Sequence, residues 1–186
     1  MDNRQDLVDE AIEKIGAQGE EAEKLKEKLK QITEDIYENG KAPYEAMGMN
    51  KDMVEGLYSF GYRMYNTGKY DEAIQLFRLL IMLDPTNPKF VLGLAACFHM
   101  KKDYENAASS YVLCSMIDMT DPIPSYHASD CYINLGKNDL AADALKLCLQ
   151  RIGNRGEFDA IKDRAQITLD MLEEKQTQSK KKENAA

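Results

Sequence analysis

The sequence predicts an all-α fold: three consecutive helical hairpins, an acidic helical arm ahead of them and a closing helix behind. Three observations carry this reading. A register of 34 residues recurs without a gap over 54–87, 88–121 and 122–155. Apolar residues recur at helical spacing inside each copy. Proline, glycine and capping residues fall where each copy should turn.

The arm, residues 1–53, holds most of the acidity of the chain. Residues 1–50 carry 7 basic and 13 acidic side chains, whereas 54–155 carry 10 and 11. A like-signed arm of this kind reads as a solvated helix face. On it, Leu25, Leu29, Ile32 and Ile36 form one apolar stripe at spacings of four, three and four. Such a stripe either caps the first hairpin or meets a second copy of itself in a homodimer. A shorter apolar set, Leu7, Ala11, Ile12 and Ile15, precedes it, separated by the break from Gly16 to Gly19.

Within the repeats, position 20 of each copy is Ala73, Ala107 and Ala141, and position 24 is Phe77, Tyr111 and Leu145. A small residue at position 20 lets two antiparallel helices approach closely, and a large one at position 24 fills the space between copies. Asn87 before Pro88 and Asp121 before Pro122 each place an N-cap ahead of a proline suited to the first helical turn. Gly68 and Gly136 sit where the first helix of copies one and three turns into the second. Behind the repeats, Phe158, Ile161, Ala165, Leu169 and Leu172 mark a closing helix over 156–175 that covers the open end of the array. The tail, 176–186, has nothing to bury and is expected to be disordered.

Composition excludes several classes of function. The chain has 186 residues, enough for one domain or a short array, and is 44% hydrophobic and 30% charged, so it can bury a core. A net charge of −8 opposes a counterion-release contact with nucleic acid. No run of apolar residues is long enough to insert stably in a membrane, and the acidic start lacks the basic segment of a signal peptide, so a cytoplasmic protein is expected.

The sequence offers little to chemistry. Cys97, Cys114, Cys131 and Cys148 are each 17 residues apart, half the repeat, and fall alternately at repeat positions 10 and 27 with no CxxC pair among them. They read as small buried residues. His99 and His127 lie on first helices, and no phosphate-binding loop, HExxH or GxSxG motif is present. The expectation is a binding protein without catalytic activity, metal or cofactor.

Gly61, Gly68, Tyr70, Ala73, Phe77 and Pro85 resemble the pattern of the tetratricopeptide repeat, so the array is similar to a three-repeat tetratricopeptide protein. The resemblance implies a concave surface lined by positions 5, 9 and 12 of each first helix: Tyr58, Tyr62 and Tyr65; Leu92, Ala96 and His99; Tyr126, Asp130 and Ile133. Co-chaperones of this repeat family hold an acidic C-terminus with Lys, Arg and Asn. The matching positions here are Tyr58, Tyr62, Gly93, Ile123 and His127, which supply no Lys or Arg for a carboxylate.

The segments LYSFGYRMYNTGKYD from Leu57, FVLGLAAC from Phe90, YENAASSYVLCSMIDM from Tyr104 and YHASDCY from Tyr126 narrow the match further. They resemble the class II chaperones of bacterial type III secretion, the SycD/LcrH/IpgC type. That resemblance implies binding of hydrophobic translocator proteins before secretion, through a short extended segment laid in the groove. The alternative is a repeat scaffold joining two cytosolic proteins without chaperone activity.

Overall fold

The computed structural model describes residues 8, 10, 12–16 and 18–183, and every regular element among them is helical. The helices are α1 (Gly19–Tyr37), α2 (Pro43–Ala46), α3 (Lys51–Asn66), α4 (Tyr70–Leu83), α5 (Pro88–Met100), α6 (Tyr104–Ile117), α7 (Ile123–Asn134), α8 (Asn138–Ile152) and α9 (Asp159–Glu183), with a 3-10 turn at Gly156–Phe158. The chain forms two compact units, one of Met1–Gly56 with Met82–Pro85 and one of Leu57–Ile81 with Thr86–Ala186.

In the first unit α1 packs on α2. Leu25, Leu29, Ile32 and Ile36 are each half-buried on α1, which has no fully buried residue. The turn that ends α1 is fixed by polar contacts around Asp35: Asn39 Nδ2 donates to its Oδ1 over 2.9 Å, and Lys41 Nζ lies 3.1 Å from the same atom. Those two donors, Asn39 first, hold the Asp35 carboxyl below the usual carboxylate range. Of the shorter apolar set, Ile12 is half-buried and Ile15 exposed, while Leu7 and Ala11 lie outside the described residues. Helix α3 begins at Lys51, ahead of the repeat boundary at residue 54, because Asn50 Oδ1 accepts from Met53 N over 2.9 Å and caps it there.

In the second unit the hairpins follow the 34-residue register. α5 packs on α6, α6 on α7, α7 on α8 and α8 on α9. Ala73, Ala107 and Ala141 are wholly buried, and the position-24 residues Phe77, Tyr111 and Leu145 are 1%, 3% and 0% exposed. Phe77 shows why. A Cβ on Gly93 of α5 would stand 2.5 Å from Phe77 Cζ and 2.8 Å from Cδ1, and one on Gly61 of α3 would touch the same ring at 3.5 Å. The ring therefore fills the space that two absent side chains leave, joining the first hairpin to the second. In the third hairpin Leu145, Cys148 and Ile152 pack with Ala165, Leu169 and Leu172 of α9, and Phe158 and Ile161 lie against that cluster.

The turns also follow sequence chemistry. Asn87 accepts from Lys89 N at the start of α5, with Pro88 at the first helical position. Asp121 Oδ1 accepts from Ile123 N over 2.9 Å, so the expected cap is made, although α7 starts after Pro122 rather than on it. Gly68 and Gly136 have φ of 76° and 70°, the left-handed turn that glycine favours. At the equivalent position of the second copy stands Lys102, with φ of 60°. Arg151 of α8 helps tie the last hairpin to its predecessor, donating to Ser115 O at 2.9 Å and to Asp121 O at 3.0 Å.

One expectation needs correction. Helix α9 does not end near residue 175 but continues to Glu183, across most of the tail expected to be disordered. No glycine or proline follows Gly156, and the run from Asp170 is rich in good helix formers, so nothing local stops propagation. Residues 184–186 lie outside the described residues.

Two substitutions test this account. Gly93→Ala should destabilise the chain by about 1–3 kcal/mol, because the added methyl overpacks Phe77; chemical denaturation measures it. Lys102→Gly should stabilise it by about 0.5–1 kcal/mol, since relief of the left-handed strain exceeds the added entropy of the unfolded chain. A rise in thermal midpoint reports that gain.

Candidate functional site

Helix α3 sets Tyr58, Tyr62 and Tyr65 four and three residues apart, which brings them onto one face. Tyr58 and Tyr62 are stacked with centroids 6.4 Å apart, as are Tyr62 and Tyr65. Tyr70, at the start of α4, meets Tyr65 edge-on at 5.7 Å. The result is a ladder of tyrosines. Its middle rung, Tyr62, is 52% exposed. Tyr58 is anchored from below, edge-on to Phe77 at 6.1 Å and 5.8 Å from Phe90. Burial raises the pKa of the Tyr65 hydroxyl, so it remains a neutral hydrogen-bonding tip.

A second cluster lies across α5, α6 and α7. His99 Nε2 stands 2.9 Å from Asp130 Oδ2. A carboxylate only accepts, so that nitrogen carries the proton and donates. His99 Nδ1 lies 3.4 Å from the Tyr111 hydroxyl, which donates to it in the neutral ring. Around His99 stand Tyr104, Tyr111 and His127, all edge-on with centroids 5.8–6.2 Å away. His127 stacks on Tyr111 at 5.3 Å and meets Tyr126 edge-on at 5.6 Å. Burial first, then the neighbouring His99, lowers the His127 pKa below its ordinary value.

The remaining candidates have mixed surroundings. Leu92 and Ala96 are half-buried on α5, and Leu92 packs against the core of Ala95, Ala107 and Tyr111. Tyr126 and Ile133 of α7 are half-buried and lean on the core around Ala141 and Leu145. The nine positions thus resolve into a tyrosine ladder, a short aliphatic stretch and a polar pair. Sequence reasoning missed Tyr70, Tyr104, Tyr111 and His127 as supports of that face. The recurring tyrosine at position 17 signalled the first two; Tyr111 was read at position 24 only as a packing residue, and His127 only at a clamp-matching position.

All four cysteines are buried free thiols, and burial pushes Cys97 and Cys148 up to about 11 and Cys114 and Cys131 up to about 12. At neutral pH they are protonated and poor nucleophiles. Among the described residues no three His, Cys, Asp or Glu side chains converge as a metal ion would need. What the face offers is contact area and hydrogen-bonding tips.

The sign of the His127 shift gives a measurable consequence. A lowered folded pKa favours the neutral ring, so its stabilisation is complete above the unfolded value of about 6.5 and is lost as pH falls through the folded value. The urea midpoint should therefore drop on going from pH 7.5 to pH 5, and the drop should be smaller in His127→Gln.

Comparison with known proteins fits this geometry. Tetratricopeptide repeat models match residues 54–87, 88–116 and 125–154, and the first two matches begin where the 34-residue register does. Chaperone protein SicA of Salmonella typhimurium is 29% identical over 152 residues, spanning 82% of this chain and 90% of SicA. Low calcium response locus protein H of Yersinia pestis is 31% identical over 124 residues, spanning 67% of this chain and 74% of that protein. The Yersinia enterocolitica type III secretion chaperone SycD, solved in complex with a peptide of the translocator YopD, superposes with a TM-score of 0.65 at 31% identity. That match covers 68% of this chain and 97% of SycD.

Proposed function

The chain belongs to the SycD/LcrH family of type III secretion chaperones, and we propose that it holds an extended apolar segment of a translocator protein against the face built by Tyr58, Tyr62 and Tyr65. The tyrosine ladder, with its middle rung Tyr62 exposed, is the observation that carries this reading. Three rings in stacking contact need little further ordering on binding, and each combines a broad apolar surface with a hydroxyl at its rim. Leu92 and Ala96 continue the apolar lining, and Tyr126 and Ile133 extend it along α7. A bound segment would bury aliphatic side chains between these rings while its backbone exchanges hydrogen bonds with the hydroxyl tips.

The consequence for the client is masking. Translocator segments that are apolar enough to enter a membrane aggregate when exposed to water, and a groove that covers them keeps the client soluble until it is handed on. The work is done in the cytoplasm, before secretion. Masking of this kind needs no catalytic group.

The test is a pair of groove variants. Tyr62→Glu and Tyr65→Ala should each weaken client binding by about 2 kcal/mol or more, the scale of an interface hot spot. Calorimetric titration measures this, with circular dichroism to show that the fold is kept. Gln75→Glu, an exposed change on α4, is the control and should leave affinity unchanged. Groove variants that fold and hold the client as tightly as the parent would remove the ladder from the binding site.

A further inference from the structure

Among the nine groove positions Asp130 is the single carboxylate, and the lining around it is aromatic or aliphatic. Its side chain is 53% exposed, although His99 Nε2 stands 2.9 Å from one oxygen. A carboxylate offers about four lone-pair sites, and one imidazole N–H takes one of them. An extended segment lying across α7 strips water from the rest. Desolvating an ionised group without replacing its hydrogen bonds is costly, so an entirely apolar client is disfavoured at this point. Tyr126 lies one helical turn before Asp130, at i and i+4 on α7. An acidic oxygen next to an aromatic ring suits a basic side chain: the oxygen pairs with its charge and the ring with its cation and its aliphatic stem.

We propose that Asp130 sets client specificity by selecting an extended segment that carries a lysine or arginine at the register over α7, offset along the chain from the apolar residues over the tyrosine ladder. The proposal rests on the groove reading above and adds to it a direction: the apolar part of the segment lies toward the first repeat and the basic residue toward the third. His99 acts here as a positioning residue, holding one carboxylate oxygen so that the other faces the client.

The experiment uses the full chain and a set of fluorescein-labelled nine-residue peptides with fixed leucine and proline anchors. A Lys, Glu or Leu is walked through the remaining positions, and binding is read by anisotropy at low and high salt. The parent should prefer Lys over Glu at one position by about tenfold and over Leu by about threefold, and the preference should shrink as salt rises. Asp130→Asn should abolish the discrimination and tighten the Leu peptide, and Asp130→Lys should reverse the preference toward Glu. Circular dichroism checks both folds, and the asparagine variant decides alone if the lysine variant is unfolded. Peptides that bind in a Tyr62-dependent way with no charge preference, or with one that Asp130→Asn leaves intact, would overturn this inference and leave the groove standing. Binding that ignores both Tyr62→Glu and Asp130→Asn, or no binding by any peptide, would remove the groove and this inference together.

Discussion

How closely two helices can approach sets everything else in the repeat unit. Three alanines at equivalent positions are wholly buried where the paired helices meet, and Phe77 occupies space kept open by Gly93 and Gly61. A methyl group at Gly93 would collide with the ring, so close approach here is a property of a missing atom as much as of a present one. With the spacing fixed, each following hairpin inherits its position from the one before, and the face presented by the first helices is placed by packing far from it.

The surface chemistry then divides along the array. At the first repeat, rings stack on rings and the interaction is with apolar area. At the second and third, two imidazoles, a carboxylate and three phenol rings make a cluster in which Asp130 settles which nitrogen of His99 is protonated, and that leaves Nδ1 as the acceptor for Tyr111. On the proposed reading, one face carries two kinds of recognition. The first supplies contact area, and the second discriminates, because a polar site penalises whatever fails to satisfy it.

Much of this was legible in the sequence, for reasons that differ by residue. The repeat register could be read because stacking repeats require the same packing at the same position, which shows as alanine at 73, 107 and 141. Turn positions were legible where glycine or a capping side chain announces them, as at Gly68, Asn87 and Asp121. Lys102 was not, since nothing about a lysine advertises a positive φ. The end of α9 was misjudged because the absence of an apolar face argues against packing but not against helix, and the tail contains no residue that breaks one. The tyrosines of α3 were singled out by the resemblance to the tetratricopeptide pattern, which implies a role for positions 5, 9 and 12. The pairing of His99 with Asp130 was not, because the two residues come from different repeats and meet only once the hairpins have stacked.

Arg151 shows what a single long side chain can add to such an array. Repeats of this kind interact through apolar faces between nearest neighbours, and each interface can in principle open independently. The guanidinium of Arg151 instead grips backbone oxygens at Ser115, near the end of α6, and at Asp121, in the linker that follows. Arg155 adds a bond to Thr120 O in the same linker. Loosening the third hairpin exposes three carbonyl groups of the second hairpin and the connection between them, and loosening the linker strands two cations. These bonds favour opening of the two C-terminal hairpins together, as a cooperative block inside a modular chain.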